Sequence, residues 1–210
     1  MSTDPRTADT RRRLLEAAAG VFAEEGFRRA TIQAICRRAR ANIAAAHYHF
    51  GDKAGLYAAV FSYAEQRADE ETRAAVAPDG APAVARLQAH VTAFLSRLLD
   101  PGRPAWMARL IAREMIEPTR ALDRLVRRRM RANHEQLSAI IRELLGRGAD
   151  KHTVRFCTLS VIAQCVFYRN SAPVVERLYP DIVASRDITR IAEHVTRFSL
   201  AAIRGLRGRS

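Results

Sequence analysis

The stretch from Thr31 to Leu56 most constrains what this chain can fold into. It begins with apolar residues at the spacing of one helical face, namely Ile32, Ile35, Cys36 and Ala39. Thr31 is a natural N-cap for that helix, and the pattern breaks at Arg40. Asn42 supplies a second cap, and residues 43–49 have room for about two turns at 3.6 residues per turn. A helix that short needs neighbours to hold it, and two short helices joined by a tight turn form the helix-turn-helix unit that binds DNA.

The residues that follow Asn42 form a more specific motif. They are Tyr48-His49-Phe50, then Lys53, then Leu56. With this motif the stretch resembles the DNA-binding segment of the TetR family of bacterial transcriptional regulators, and it is closer to the CecR/CerR-like branch than to the family average. Two residues depart from the family pattern, which usually has glycine where this chain has Arg40 and a larger apolar residue where it has Ala46. Because a side chain costs stability where the backbone needs φ > 0, we expect strain or a different turn geometry at Arg40.

The rest of the chain is predicted to be helical, with no alternating strand pattern. Two later runs resemble the C-terminal domain of the same branch, residues 110–118 (LIAREMIEP) and Gln164 with Tyr168-Arg169-Asn170. The sequence therefore predicts an all-α protein with an N-terminal three-helix helix-turn-helix DNA-binding domain and a larger helical regulatory and dimerisation domain. We expect a disordered arm at residues 1–9, the DNA-binding domain at 10–56 and the ligand-binding and dimerisation domain at 57–210.

Composition agrees with a soluble protein that has a polyanionic partner. The hydrophobic content of 48% can build a core, and the net charge of +13 over 210 residues favours nucleic acid or an acidic membrane surface. Arginine is also abundant in many GC-rich bacterial proteins, so the charge is supporting information only. The three cysteines are widely spaced and predict no disulfide framework. The N-terminus has no apolar leader and no span of about 20 apolar residues occurs, so we expect a cytoplasmic protein without membrane insertion.

The predicted DNA-contacting residues lie on the second short helix and around it. Its exposed positions offer few base-reading groups, so direct readout would depend on thymine methyl contacts and on Asn42, His47 or Tyr48. The family resemblance implies phosphate contacts at Thr31, His47, Tyr48 and Lys53, and flanking arginines would add charge. The full predicted set is Arg29, Thr31, Asn42, Ile43, Ala44, Ala45, His47, Tyr48 and Lys53.

A DNA reader of this kind needs two copies. One short helix contacts few bases, whereas two related by a two-fold axis read a palindrome with half-sites about 34 Å apart. The helix predicted at residues 150–169 is apolar on more than one side, which indicates one face in the core and another against a partner. The family resemblance implies a homodimer in which this helix and the one at 185–206 form a four-helix bundle.

The second domain is predicted to sense a small molecule, as in the family it resembles. Polar groups on otherwise apolar helices are either an internal network or the orienting groups of a ligand pocket, and both interpretations stay open. The candidate pocket residues are Trp106, Met107, Leu110, Arg113, Glu114, Gln164, Phe167 and Tyr168. The branch is associated with membrane transport and drug-sensitivity genes, which implies a ligand-responsive repressor of such genes.

An enzyme and a non-specific binding protein are the two rival classes of function. No hydrolase, P-loop or zinc-protease motif occurs, and His47 and His49 lack a carboxylate at metal-ligand spacing, so we expect neither catalysis nor a metal site nor a cofactor. The second rival is a basic helical protein that binds nucleic acid or membrane without sequence choice. A regulator differs from it in preferring its own operator over random duplex by orders of magnitude.

Overall fold

The computed structural model describes residues 5–72, 80–99, 104–181 and 187–207, and the regular elements among these residues are helices joined by short turns. The predicted all-α class is confirmed. The helices are α1 (Pro5–Arg29), α2 (Ile32–Ala39), α3 (Ile43–Phe50), α4 (Lys53–Thr72), α5 (Ala83–Leu99), α6 (Ala105–Ile116), α7 (Arg120–Leu125), α8 (Arg131–Leu145), α9 (Lys151–Asn170), α10 (Ala172–Leu178) and α11 (Ile188–Leu206). A π-helical turn, Val126–Met130, joins α7 to α8. Within the described residues, no helix is both long and apolar enough to cross a membrane.

Helix α1 begins earlier than the sequence analysis predicted. Residues 5–9 are helical rather than disordered, and residues 1–4 of the predicted arm lie outside the described residues. Pro5 is the first helical residue, where a proline ring fixes a helical φ and the missing N–H is no loss. Asp9 then pairs with Arg12 at 2.8 Å and with Arg13 at 3.1 Å, one helical turn onward. Gly26, with φ 79°, kinks the helix.

The chain divides into two compact units. The first comprises residues 1–70 and 101–128, and it contains α1–α4, α6 and α7. Its largest fully buried side chains are those of Leu14, Phe22, Ile35, Leu56 and Leu110. Helices α6 and α7 therefore share a core with the three N-terminal helices, although residues 57–210 were predicted as one domain. The boundary between the DNA-binding and the ligand-binding domain, placed between residues 56 and 57 from the sequence, stays a prediction.

The second unit comprises residues 71–100 and 129–210. It contains α5 and α8–α11, and its fully buried side chains include those of Leu87, Leu95, Leu137, Ile141 and Ile203. Asp150 caps α9 through its carboxylate, which accepts from His152 N at 2.7 Å, as its position before an apolar run predicts. Residues 185 and 186 of the helix predicted at 185–206 lie outside the described residues, and α11 is described from Ile188 onward.

Candidate nucleic-acid interface

The helix-turn-helix geometry begins with two side-chain caps. The Thr31 hydroxyl accepts from Ala34 N at 3.1 Å at the start of α2, and Asn42 Oδ1 accepts from Ala45 N at 2.7 Å at the start of α3. Each cap satisfies a helix N–H that would otherwise have no partner in the chain. Both residues are exposed, and the caps leave the Thr31 hydroxyl hydrogen and the Asn42 side-chain NH₂ group as donors.

Arg40 takes a left-handed conformation in the turn between α2 and α3. Its φ of 50° and ψ of 46° make it the one non-glycine residue with positive φ in the described part of the chain. Arg13 of α1 supports the turn, because its guanidinium donates to the carbonyl oxygens of Ala39 at 3.2 Å and Arg40 at 3.4 Å. The turn therefore uses the positive φ that glycine adopts most readily, and with an arginine at this position the backbone carries the strain.

Five of the predicted DNA-contacting residues lie on α3, and four of them are on its outward face. Ile43, Ala44, His47 and Tyr48 are exposed, and Tyr48 is the most exposed of them at 81%. Ala45 is half-buried and packs against the core of the first unit, and its contact with DNA stays a prediction. Ala46 beside it is buried, so at these two positions small side chains let α3 pack closely against the core.

His47 is held in place by a backbone carbonyl. Its Nδ1 lies 2.6 Å from the oxygen of Gly51, and because a carbonyl can only accept, Nδ1 carries the hydrogen. In the neutral ring Nε2 is then an acceptor. The imidazole is fixed by the end of its own helix.

Lys53 is engaged inside the first unit. The family resemblance implies that it contacts a phosphate. Its ammonium instead donates to the carbonyls of Arg28 at 3.3 Å and Ala30 at 3.1 Å, and it lies 4.8 Å from the Phe27 ring centroid. Asp52 Oδ1 caps α4 by accepting from Gly55 N at 2.7 Å, so an internal carboxylate already occupies that helix N-terminus. Lys53 ties the loop between α1 and α2 to α4, and a contact with phosphate stays a prediction.

The arginines around α2 and α3 differ in how far they are neutralised. Arg38 pairs with Glu24 at 2.8 Å, and Arg12 pairs with Asp9 and Glu16. Arg29 is exposed, and its Nε donates to Glu25 O at 3.2 Å, which leaves both terminal nitrogens of the guanidinium. Arg37 is exposed on α2.

The eight predicted pocket residues fall in both compact units. Trp106, Met107, Leu110, Arg113 and Glu114 belong to the first unit, and Gln164, Phe167 and Tyr168 to the second. Within the first unit, a cavity of about 40 Å³ is lined by Arg113 but by none of the other four. Met107 and Leu110 are buried core residues.

Glu114 belongs to an internal hydrogen-bond network. It is 1% exposed, and its carboxylate accepts from the Tyr57 hydroxyl at 2.6 Å, from the Thr119 hydroxyl at 2.9 Å and from Thr119 N at 3.1 Å. Burial, followed by the neighbouring Glu114 carboxylate, raises the pKa of Tyr57 well above its ordinary value. Of the two interpretations left open for Glu114, this geometry favours the internal network that fixes helix packing.

Sequence reasoning missed the partners of two charged residues. Arg113 donates from Nε to Ala23 O at 3.0 Å and from a terminal nitrogen to Glu24 O, so it caps α1 just before the Gly26 kink. Arg13 supports the turn at Arg40. No local signal marks these contacts, because their partners are 89–90 and 26–27 positions away in sequence.

In the second unit, Gln164 links two helices. Its Nε2 donates to Ser199 Oγ of α11 at 3.2 Å, which fixes α9 against α11, and a contact with a ligand stays a prediction. Phe167 is 54% exposed, and it continues a stripe on the outward face of α9 formed with Phe156 and Leu159. The outward face of α11 carries Phe198, Ala201 and Ala202. These apolar faces belong to the two helices predicted to form the dimer.

Comparisons with known proteins agree on one family. Residues 14–60 match the profile described as bacterial regulatory proteins, tetR family, and residues 83–203 match the C-terminal domain of the HTH-type transcriptional dual regulator CecR. No curated protein matches the sequence.

Solved structures share the fold at low sequence identity. A TetR-like transcriptional regulator from Rhodococcus sp. RHA1 aligns with a TM-score of 0.64 at 19% identity, covering 95% of this chain and 97% of its own. A second transcriptional regulator from Rhodococcus sp. Rha1 gives 0.62 at 20% identity, with coverages of 92% and 95%. The fatty acid degradation regulator FadR from Bacillus halodurans gives 0.61 at 15% identity, with coverages of 95% and 97%. At these identities the similarity concerns the fold alone.

Proposed function

The chain belongs to the TetR family of bacterial transcriptional regulators, in the CecR-like branch, and from this premise we propose that it reads a palindromic operator as a homodimer. Proteins of this family are DNA-binding regulators and not enzymes. The observation that carries the proposal is the exposed face of α3, where Ile43, Ala44, His47 and Tyr48 point outward from a helix capped by Asn42. Small and apolar groups there suit close approach to base edges and thymine methyls.

The proposed assignment of contacts follows the chemistry of each side chain. Tyr48 and His47 supply hydrogen-bonding groups to bases or phosphates, and the Asn42 and Thr31 donors reach phosphates beside the helix N-termini. Arg29 adds phosphate attraction through its terminal guanidinium nitrogens. Ala45 is half-buried and offers a base only part of its methyl group, and Lys53 contributes by holding the loop that carries Arg29.

The proposed dimer forms through α9 and α11. Phe156, Leu159 and Phe167 on α9 and Phe198 on α11 are each more than half exposed, and exposed apolar stripes of this kind mark protein interfaces. Two copies of a helix pair that bury such faces form a four-helix bundle. A two-fold axis through the bundle would present α3 twice, as a palindrome requires.

Repression and ligand control are the finer parts of the proposal. They are carried over from the family, together with the expectation that transport or drug-sensitivity genes are controlled. A reporter gene fused to the operator is expected to show repression. Because the matching C-terminal domain is described from a dual regulator, activation at some promoters is the alternative outcome. A screen for compounds that raise the melting temperature tests for an effector.

The test of DNA reading is the variant Tyr48→Ala. The operator is first obtained by sequencing the DNA that the purified protein retains from a random pool. Tyr48→Ala is expected to weaken operator binding at least tenfold while the protein stays folded and dimeric, because one good base contact is worth about 1–3 kcal/mol.

Tyr179→Ala is the matched control, since Tyr179 is also exposed but lies in the second unit. It should leave operator affinity unchanged. Unaltered binding by Tyr48→Ala at physiological salt would refute the proposed role of α3. Equal affinity of the unchanged protein for operator and random duplex would favour the non-specific basic protein instead.

A further inference from the structure

An open groove of about 410 Å³ crosses the first unit between α1, α4 and α7. It is lined by Arg11 and Leu15 of α1, by Gly55, Ala58, Ala59, Ser62 and Tyr63 of α4, and by Arg124 of α7. All of these residues belong to one compact unit. Pockets that bind small molecules typically have volumes of roughly 300–1,000 Å³, so the groove is large enough for a ligand. None of its residues was predicted to bind one.

The groove carries two arginines without acidic partners in the described residues. Arg12 and Arg38 make ion pairs with carboxylates of the same unit, whereas Arg11 and Arg124 make none within 4.0 Å. Leu15 and the alanine methyls of α4 supply apolar surface in the same lining, beside the side chains of Ser62 and Tyr63. Positive charge beside an apolar surface matches the chemistry of an anionic amphiphile.

We propose that this groove binds a small amphiphilic anion, whose apolar body lies along α4 and whose carboxylate, sulfonate or phosphate head group pairs with Arg11 and Arg124. Gly55 lets the end of α3 approach the start of α4 closely, because a Cβ there would lie 2.1 Å from Phe50 O. Ser62 bonds to Ala58 O at 3.3 Å, so its hydroxyl is used within the helix and the charge recognition falls to the arginines.

Arg11 also connects the groove to α3. Its guanidinium lies 5.5 Å from the ring centroid of Phe50, the last residue of that helix. An anion that draws Arg11 into the groove removes this contact and loosens the end of the helix that carries Tyr48. This consequence for DNA binding rests on the proposed function, whereas ligand binding itself is measured without DNA, so the two can fail separately.

The chain contains its own reporter for such binding. Trp106 is the single tryptophan, and its ring stacks on Tyr63 with centroids 6.3 Å apart and planes 8° from parallel. Because Tyr63 lines the groove, a ligand seated there changes the surroundings of Trp106. The full-length protein is therefore titrated with decanoate, kept below its micelle-forming range, and binding is followed by tryptophan fluorescence and by calorimetry.

Decanoate is expected to bind saturably at one site per chain, at least tenfold more tightly than 1-decanol or decyltrimethylammonium. Arg11→Gln and Arg124→Gln should each weaken decanoate binding by roughly tenfold, as expected for loss of a charge-assisted hydrogen bond. Ala58→Leu should weaken all groove ligands by filling the space. Arg11→Lys, which retains the charge, should bind more tightly than Arg11→Gln.

Arg37→Gln is the matched control, since Arg37 is an exposed arginine on α2 outside the groove. It should bind decanoate as the unchanged protein does. Circular dichroism establishes that each variant is folded. Absence of saturable binding, equal affinity for decanoate and 1-decanol, or unchanged affinity in both the Arg11→Gln and Arg124→Gln variants would overturn the proposal.

Discussion

Arg40 illustrates how one residue can hold a strained turn when its surroundings fix it. A left-handed conformation costs an L-residue roughly 1–2 kcal/mol relative to glycine or a helical alternative. The turn keeps it because Arg40 N donates to Arg37 O at 3.3 Å and Ala41 N donates to Cys36 O at 3.0 Å. The guanidinium of Arg13 then satisfies the carbonyls at the end of α2. These hydrogen bonds form only when the backbone takes this turn, and they offset the strain at Arg40.

Replacing Arg40 with glycine should stabilise the protein. We expect Arg40→Gly to raise the free energy of unfolding of the first unit by about 1 kcal/mol, because relief of the left-handed strain exceeds the entropy that glycine adds to the unfolded chain. Chemical denaturation measures the change. Arg37→Gly, within the neighbouring helix, is the control and should destabilise by about 1 kcal/mol. A loss of stability in Arg40→Gly would contradict the strain.

Helix α9 has two apolar faces, one packed in the core of the second unit and one exposed on the opposite side. Val154, Thr158, Val161 and Cys165 form its buried face, and they recur at the spacing of one helical stripe. The opposite side exposes Phe156, Leu159 and Phe167. Because a monomer rarely exposes several large apolar side chains in a row, the outward stripe is the part of the element that needs a partner.

Charging that surface should separate the proposed dimer. The double variant Phe167→Glu and Phe198→Glu places carboxylates on the outward faces of α9 and α11, where pairing would bury them at a cost of several kcal/mol. Light scattering coupled to size exclusion should show a folded monomer with weakened operator binding. Val84→Glu, on the exposed side of α5, is the control and should stay dimeric. A dimer that survives the double variant would place the interface elsewhere.

At the scale of the whole molecule, internal pairing limits how many positive charges can reach DNA. The formal net charge is +13, yet near α2 and α3 the side chains of Arg12, Arg13 and Arg38 pair with carboxylates and Lys53 donates to carbonyls. Phosphate attraction therefore depends on a smaller set of exposed cations than composition indicates. The salt dependence of binding counts those cations directly, because each phosphate contact releases counterions.

The variant Arg29→Gln tests whether Arg29 is one of the cations that contact phosphate. If each protomer of a dimer loses one phosphate contact, the slope of log affinity against log salt should become shallower by about two. Operator and random duplex should weaken by the same factor, since phosphate contacts carry no sequence information. Tyr48→Ala should instead reduce the preference for operator. An unchanged slope in Arg29→Gln, measured by fluorescence anisotropy over a range of salt, would remove Arg29 from the interface.

The sequence by itself determined the features that depend on neighbours within a few residues. The caps at Thr31, Asn42 and Asp150 and the break at Arg40 are decided over three or four positions, where the chain has little choice of partner. Only the tertiary structure decided that Arg13 would support the turn, that Tyr57 would donate to Glu114 and that Lys53 would be tied to the loop after α1. Those contacts join residues 23–57 positions apart, and which side chains meet at that distance depends on how whole helices pack.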